Sequence, residues 1–416
     1  MPRLPRDKSL DSTAALFFEG YNFGTNRFRR YRSDFFETRL MLRRAVCMRG
    51  EEAAGIFYDE GRFRRRGALP RRGLKSFLGE GGVQTLDGDA HRRRKALFMS
   101  LMTPEGIKRL SDLTARHWRG YGEKWEGVDR VVLFHEAGEL LCRAACEWAG
   151  VPLRESEVSK RTRDFEAMID SPAALGPRHW RGRRARGRAE RWIGNIVEDV
   201  RAGKREAPEG SALHAVVSHR EAGGELLDGK VAAVEIINVL RPVVAVARFV
   251  TFAALALHEH PECRDKLLAG EDGYSQMFVQ EVRRFYPFFP LVAAVVREEF
   301  EWRGYRFPKG RWVLLDLYAT DHDERLWGRP EEFRPERFRG REPGPFDLIP
   351  QGGGDHHRGH RCAGEWVTVE LMKAALGQLT GFMTYDVPEQ DLRVSLSRVP
   401  AIPRSRFVIS NVRCAR

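Results

Sequence analysis

The sequence predicts a mainly helical fold with a minor β region. Apolar residues recur at i, i+3 and i+4 along most of the chain, and strand-like alternation is confined to short segments. One apolar run, Val231 to Leu257, is long enough for a helix of about seven turns. No Gly/Ser or Pro-rich linker, repeat or low-complexity segment divides the 416 residues, so residues 1–416 are expected to form a single domain.

In chain order, helical periodicity spans Asp89 to Leu101, Thr103 to Trp118, Leu133 to Ala149, Ala189 to Arg201, Lys230 to His258 and Glu262 to Leu268. Pro104 directly after Thr103 marks a helix start. Strand-like stretches are LMLRRAVCM near the N-terminus, then VVREEFEWRGYRF and RWVLLDLY, the middle one turning through Arg303-Gly304. The C-terminal RVSLSRVPAIPRSRFVISNV alternates but carries prolines, so it is expected to supply edge strands. The run Val231 to Leu257 is interrupted by Glu235, Asn238, Arg241 and Arg248. Charges at membrane depth are expensive, so it is expected to be a buried core helix and not a membrane span.

Net charge is +13, much of it in Arg178 to Trp192 and Gly61 to Arg72. Such charge raises nucleic acid or an anionic surface as partners. No zinc-finger, helix-turn-helix or RNA-binding aromatic pattern accompanies it, so a solvated cationic face is expected and no nucleic-acid partner. The six cysteines show no C-x-x-C spacing, and the N-terminal stretch lacks the apolar core of a signal peptide. A cytoplasmic protein with free thiols is expected.

Two places in the sequence pose chemical questions. Arg241-Pro242 stands in the middle of the long apolar run. Proline there removes a backbone donor, and a buried guanidinium is costly without a partner. The second is FDLIPQGGGDHHRGHRCAGEWVTVELMKAAL, where glycines 352, 353 and 354 permit close backbone approach and Cys362 precedes a helix. A helix start lowers a thiol pKa, which suits a nucleophile or a metal ligand. A nucleophile could draw on His356, His357 or His360 as base; a zinc site would want more cysteines; a haem thiolate fits the glycines and nearby cations. Glu281 and Arg284 lie at i,i+3, a spacing that is commonly a surface ion pair.

The ordered set Glu281-x-x-Arg284, Pro335-Glu336-Arg337-Phe338 and the glycine-rich loop with Cys362 resembles the cytochromes P450 over nearly the whole chain. Arg241-Pro242, QTLDGDAHRRRKALFMSLMTP, GPRHWRGRRAR and YDVPEQ resemble one branch of it, the bacterial fatty-acid peroxygenases. The resemblance implies the cytochrome P450 fold, with a long central helix over a haem b whose iron takes the Cys362 thiolate. It also implies His91, Lys95 and His360, with Arg65 as a further candidate, as partners of the haem propionates. Fatty acid and hydrogen peroxide are the implied substrates, without a redox partner. Arg241 would hold the fatty-acid carboxylate as a bidentate pair. Pro242 would bend the helix and free the Asn238 carbonyl. The held carboxylate would move the proton of the peroxide, and hydroxylation would fall on the α or β carbon nearest the anchor.

Gln84 falls where the branch's balance between hydroxylation and decarboxylation to alkenes is partly set, and a glutamine favours hydroxylation. Leu69, Leu78, Ala245 and Phe288 are the candidate pocket-lining residues. Leu78 and Pro172 replace aromatic residues of better-known members, and Phe289 is bulkier than expected beside Phe288. Three alternatives stand beside this reading: a P450 monooxygenase using dioxygen and a redox partner, a haem-binding sensor, and a basic nucleic-acid-associated protein. For Arg241 itself, pairing with an internal acid such as Glu235 is the competing expectation.

Overall fold

The computed structural model describes residues 4–415, so the expected domain limits at 1 and 416 lie outside the described residues. The central helix runs Gly229–Glu259 and starts at Asp228, whose carboxylate caps the Lys230 and Val231 backbone N–H groups. Between Ala232 and Leu257 every residue is buried except Pro242 and Ala245, one turn apart on one face. This is a core helix: 89% of its most apolar window is covered by the rest of the protein. Helical hydrogen bonding continues on both sides of Pro242, so the expected bend is no break. The missing N–H still deprives the Asn238 carbonyl of its helical donor.

Helices Leu133–Ala149, Pro177–Arg201 and Glu365–Gly377 pack around the central one. The first of these falls where its periodicity predicts. Pro177–Arg201 begins about three turns before the expected Ala189 start, running through the arginine-rich stretch. Arginine is a good helix former, but a cationic face carries no apolar period to reveal it. Pro104–Trp125 likewise outruns its expected end at Trp118.

The β region is a five-stranded sheet ordered Phe35–Leu40, Arg43–Met48, Trp312–Asp316, Leu291–Val296, Phe63–Arg64. The LMLRRAVCM stretch is not one strand but the turn and second strand of a hairpin whose first strand is Phe35–Leu40. Met41 and Leu42 form its two-residue turn, both at positive φ as such turns require. Phe300–Trp302 and Tyr305–Phe307 pair through Arg303-Gly304 as expected. The C-terminal alternation is only partly realised: Val408–Cys414 is a strand, while Val394 and Pro403 form an isolated bridge. Three prolines, Pro388, Pro400 and Pro403, deny that stretch ladder donors.

Candidate active site

Cys362 lies in the turn that leads into Glu365–Gly377. Its backbone N–H donates to the Gln351 carbonyl at 3.2 Å, and the Gln351 amide nitrogen lies 3.9 Å from the sulfur. Gln351 is itself fixed by a bond to the Thr368 hydroxyl at 3.0 Å. Among the described residues no histidine ring bonds to the sulfur; His356 instead stacks on Trp366 at 3.9 Å, so the nucleophile reading has no base in place. Burial pushes the Cys362 thiol pKa up and Glu365 adds to this, against the pull of Lys95. The lowering expected from the helix start is therefore outweighed, and a cation at the sulfur is what reverses it. Gly352 and Gly354 adopt positive φ, and Cβ atoms there and at Gly353 would strike Tyr58 and the Pro345 carbonyl. The close approach these glycines permit is thus to Tyr58 as much as to any cofactor.

Beside this loop the structure gathers the four expected anion partners. His91 stacks on His360 with ring centroids 3.8 Å apart, and the His91 Nδ1 is buried without a hydrogen-bond partner. Burial, with the Lys95 charge, lowers the His91 pKa to about 4, and burial with Arg65 lowers His360 further still. Lys95 donates to the Arg361 carbonyl at 2.5 Å and is drawn down to about 8 by burial. The half-buried Arg65 lies over the Phe57 ring at 4.3 Å. Among the described residues none of the four has an ion-pair partner. A set of cationic and neutral donors with an orphaned buried nitrogen fits an anion, as two haem propionates would be.

On the central helix Arg241 is only 3% exposed. Its guanidinium donates to the Phe77 carbonyl and lies over the Phe77 ring at 4.2 Å. Among the described residues no carboxylate pairs with it. Glu235, the competing partner, is occupied elsewhere: it accepts from Arg94 at 2.7 Å, from the Val83 N–H at 2.8 Å and from Asn238 at 2.9 Å. The Arg241 pKa falls well below the usual arginine range, from burial first and from the nearby Arg186 charge second. Gln84 reaches the same helix, accepting from the Asn238 amide at 3.3 Å.

The other expected residues divide. Leu78 ends the tight turn Leu74–Leu78 that presents Phe77. Phe288 packs on Phe289 at 4.4 Å and Phe249 at 5.2 Å, and Phe289 reaches Phe77 at 5.6 Å, so these rings form one apolar wall. Ala245 stands one turn beyond Pro242 on the open face of the helix. Leu69 is half-buried ahead of Pro70.

Sequence reasoning missed several arginines. Arg94, hidden in the surface-like run HRRRK, neutralises Glu235. Arg283 and Arg361 grip Glu365, holding its carboxyl at about 2 although burial alone would raise it. Only the i,i+4 spacing of Arg361 and Glu365 hinted at this. Glu281 and Arg284 are not the surface pair their spacing suggested: both side chains are 0% exposed.

A thiol at the mouth of a helix, an anion cradle and a long core helix above them define a cytochrome P450, and that family's profile matches residues 273–391. The chain is 29% identical to cytochrome P450 137 of Mycobacterium tuberculosis, aligned over 52% of this chain and 47% of that protein, so the match spans about half the relative. Likeness to solved structures is fuller. Cytochrome P450EX alpha with myristic acid is 44% identical, covers 100% of both chains and superposes with a TM-score of 0.97. A variant of cytochrome P450SP alpha is 45% identical over 98% of this chain and 100% of that one, TM-score 0.96. An OleT variant with arachidonic acid is 38% identical over 100% and 99%, TM-score 0.97. The chain belongs to the cytochrome P450 family, in its fatty-acid peroxygenase branch. It is a haem-thiolate oxidoreductase, and Cys362, in the turn before Glu365–Gly377, would supply the thiolate.

Proposed function

We propose that this protein hydroxylates fatty acids at the α or β carbon using hydrogen peroxide, without a redox partner, as a single cytoplasmic domain spanning residues 1–416. The observation that supports this most is Arg241: a buried cation that donates to a backbone carbonyl and lies over a ring, with no carboxylate paired to it among the described residues. Such a group is costly unless a guest supplies the missing anion, and a fatty-acid carboxylate matches its fork bidentately. When bound, the haem-thiolate supplies the oxidising chemistry.

The protein's own residues do the rest. Arg241 fixes the carboxylate, leaving the α and β carbons as the nearest part of the chain to the reacting centre. Pro242 occupies the helix position where a donor would stand, so the guest's carboxylate is the base within reach of the peroxide proton. Phe288, Phe289 and Phe77 wall the site with rings that exclude water. Gln84, a neutral amide tied to Asn238, supplies no titratable proton, which favours hydroxylation with alkene as a minor product. Lys95, His91, His360 and Arg65 would hold the propionates.

The test is direct. Purified holoprotein is incubated with saturated acids of several lengths and hydrogen peroxide alone, and products are identified by mass spectrometry. α- or β-hydroxy acids are expected, and Arg241→Ala should lower turnover by about 10²–10⁴-fold while haem content is retained. Turnover only with an added reductase and dioxygen, or an unimpaired Arg241→Ala, would overturn the reading.

A further inference from the structure

The Phe77 carbonyl serves two arginines. Besides Arg241, it accepts from the Nη1 of Arg186 at 2.8 Å. Arg186 comes from a different helix, Pro177–Arg201, and is 1% exposed. Its Nε donates to Glu190 one turn on at 2.6 Å, while its Nη2 is buried with no partner. The chain makes room for that nitrogen: a Cβ on Gly79, which sits at positive φ, would lie 2.2 Å from it. Two guanidiniums therefore converge on one oxygen. Their only ion-pairing carboxylate among the described residues is Glu190, whose side chain is 39% exposed.

Two like charges held together against repulsion need a reason, and packing does not supply one. A neutral glutamine could also donate to the carbonyl, and the Gly79 clearance serves only the longer fork. We infer that Arg186 is a positioning and specificity residue of the anion site. It pins the Phe77 carbonyl so that Arg241 is held in one orientation, and it adds a second positive charge that makes the pocket prefer an ionised headgroup to a neutral one. This rests on Arg241 being the carboxylate anchor. It extends that reading by linking the site to the surface through Glu190, whose charge partly cancels that of Arg186.

The test compares binding of decanoic acid and 1-decanol to the holoprotein by calorimetry. Arg186→Gln should weaken the acid about tenfold and leave the alcohol within about twofold. Arg186→Lys, which keeps the charge, should recover at least half of the lost preference. Glu190→Gln should act in the opposite sense, tightening the acid about twofold by removing the partial cancellation. This also serves should Arg186→Gln fail to fold. Equal weakening of acid and alcohol, or no change for the acid in either variant, would overturn the inference. Arg241→Ala is the control that separates the two readings: if it too leaves acid binding intact, the anchor assignment itself has failed.

Discussion

The molecule buries arginine in two very different ways. Around Glu281 the charges are closed upon themselves. Arg284 grips that carboxylate with two bonds of 2.8 Å, and Arg337 and the Arg334 N–H add bonds of 3.0 and 2.8 Å. Arg284 Nη1 donates to the Asp321 carbonyl, and Nη2, which also holds Glu281, donates to that of Pro330. Around Phe77 the charges are left open: Arg241 and Arg186 share a carbonyl, and only Arg186 has an acid, at the protein's edge. A complete network fixes structure; an incomplete one of the same residue type, equally buried, is built for something that arrives later.

The largest break in this contrast comes from opening the closed cluster. Glu281→Gln leaves Arg284 and Arg337 buried without an anion, and should cost about 3–5 kcal/mol of stability. Urea unfolding of the holoprotein checks this, and a loss below about 1 kcal/mol would show that the network is not what holds this region.

Acid should reach the same region next. His322 bonds through its Nδ1 to the Tyr318 carbonyl at 3.0 Å, and burial, reinforced by Arg284, lowers its pKa to about 3. Its folded pKa lies below the unfolded value near 6.5, so the unfolded chain binds the extra proton between about pH 6.5 and 3. Stability is therefore full above pH 6.5 and falls as pH drops through that window. From pH 7.5 to 5 this single group should remove about 2 kcal/mol, a slope that His322→Gln should flatten by that amount. An unchanged slope in the variant would place the titration elsewhere.

The open site should respond in the opposite manner. Arg241→Ala removes a buried cation that no acid among the described residues neutralises, so stability should stay within about 1 kcal/mol of wild type despite the loss of a 3% exposed side chain. A drop of several kcal/mol would mean that the Phe77 carbonyl and ring already satisfy the charge, and the contrast between the two regions would dissolve.

How legible this was in the sequence follows the same division. The long helix, its place in the core and the oddity of Arg241-Pro242 could all be seen, because an apolar period makes any charge within it conspicuous. Cys362 stood out through the glycines before it and the helix after it. Arg186 and Arg94 could not be seen, since each lies in a run of arginines where most neighbours face water, and only the fold selects the one that turns inward. For the same reason the Glu281–Arg284 spacing could not tell a fully buried pair from an exposed one. The glycines were read for cofactor approach, while the structure has them also clearing Tyr58, a partner some three hundred positions away in sequence.

The smallest effect should come from Gln84. Its carboxamide oxygen takes the Asn238 amide, which also donates to Glu235, so Gln84 is tethered to the helix one turn before Pro242 without bearing a proton to give. Gly82 packs tightly beneath, where a Cβ would meet the Asn238 amide nitrogen at 2.9 Å, so the side chain has little freedom to move away. An imidazole at this position could donate and accept within the same reach and relay a proton that the amide cannot. Because hydroxylation and decarboxylation diverge at neighbouring atoms, a change on the order of 1 kcal/mol is enough to move their ratio about fivefold. Gln84→His should therefore raise the alkene share by about that factor with peroxide turnover otherwise retained, whereas Gln84→Leu, which removes the amide without adding a titratable group, should leave the share unchanged. If both variants shift the ratio alike, the control is one of packing and belongs with Leu78 and Phe288; if neither does, Gln84 only steadies Asn238.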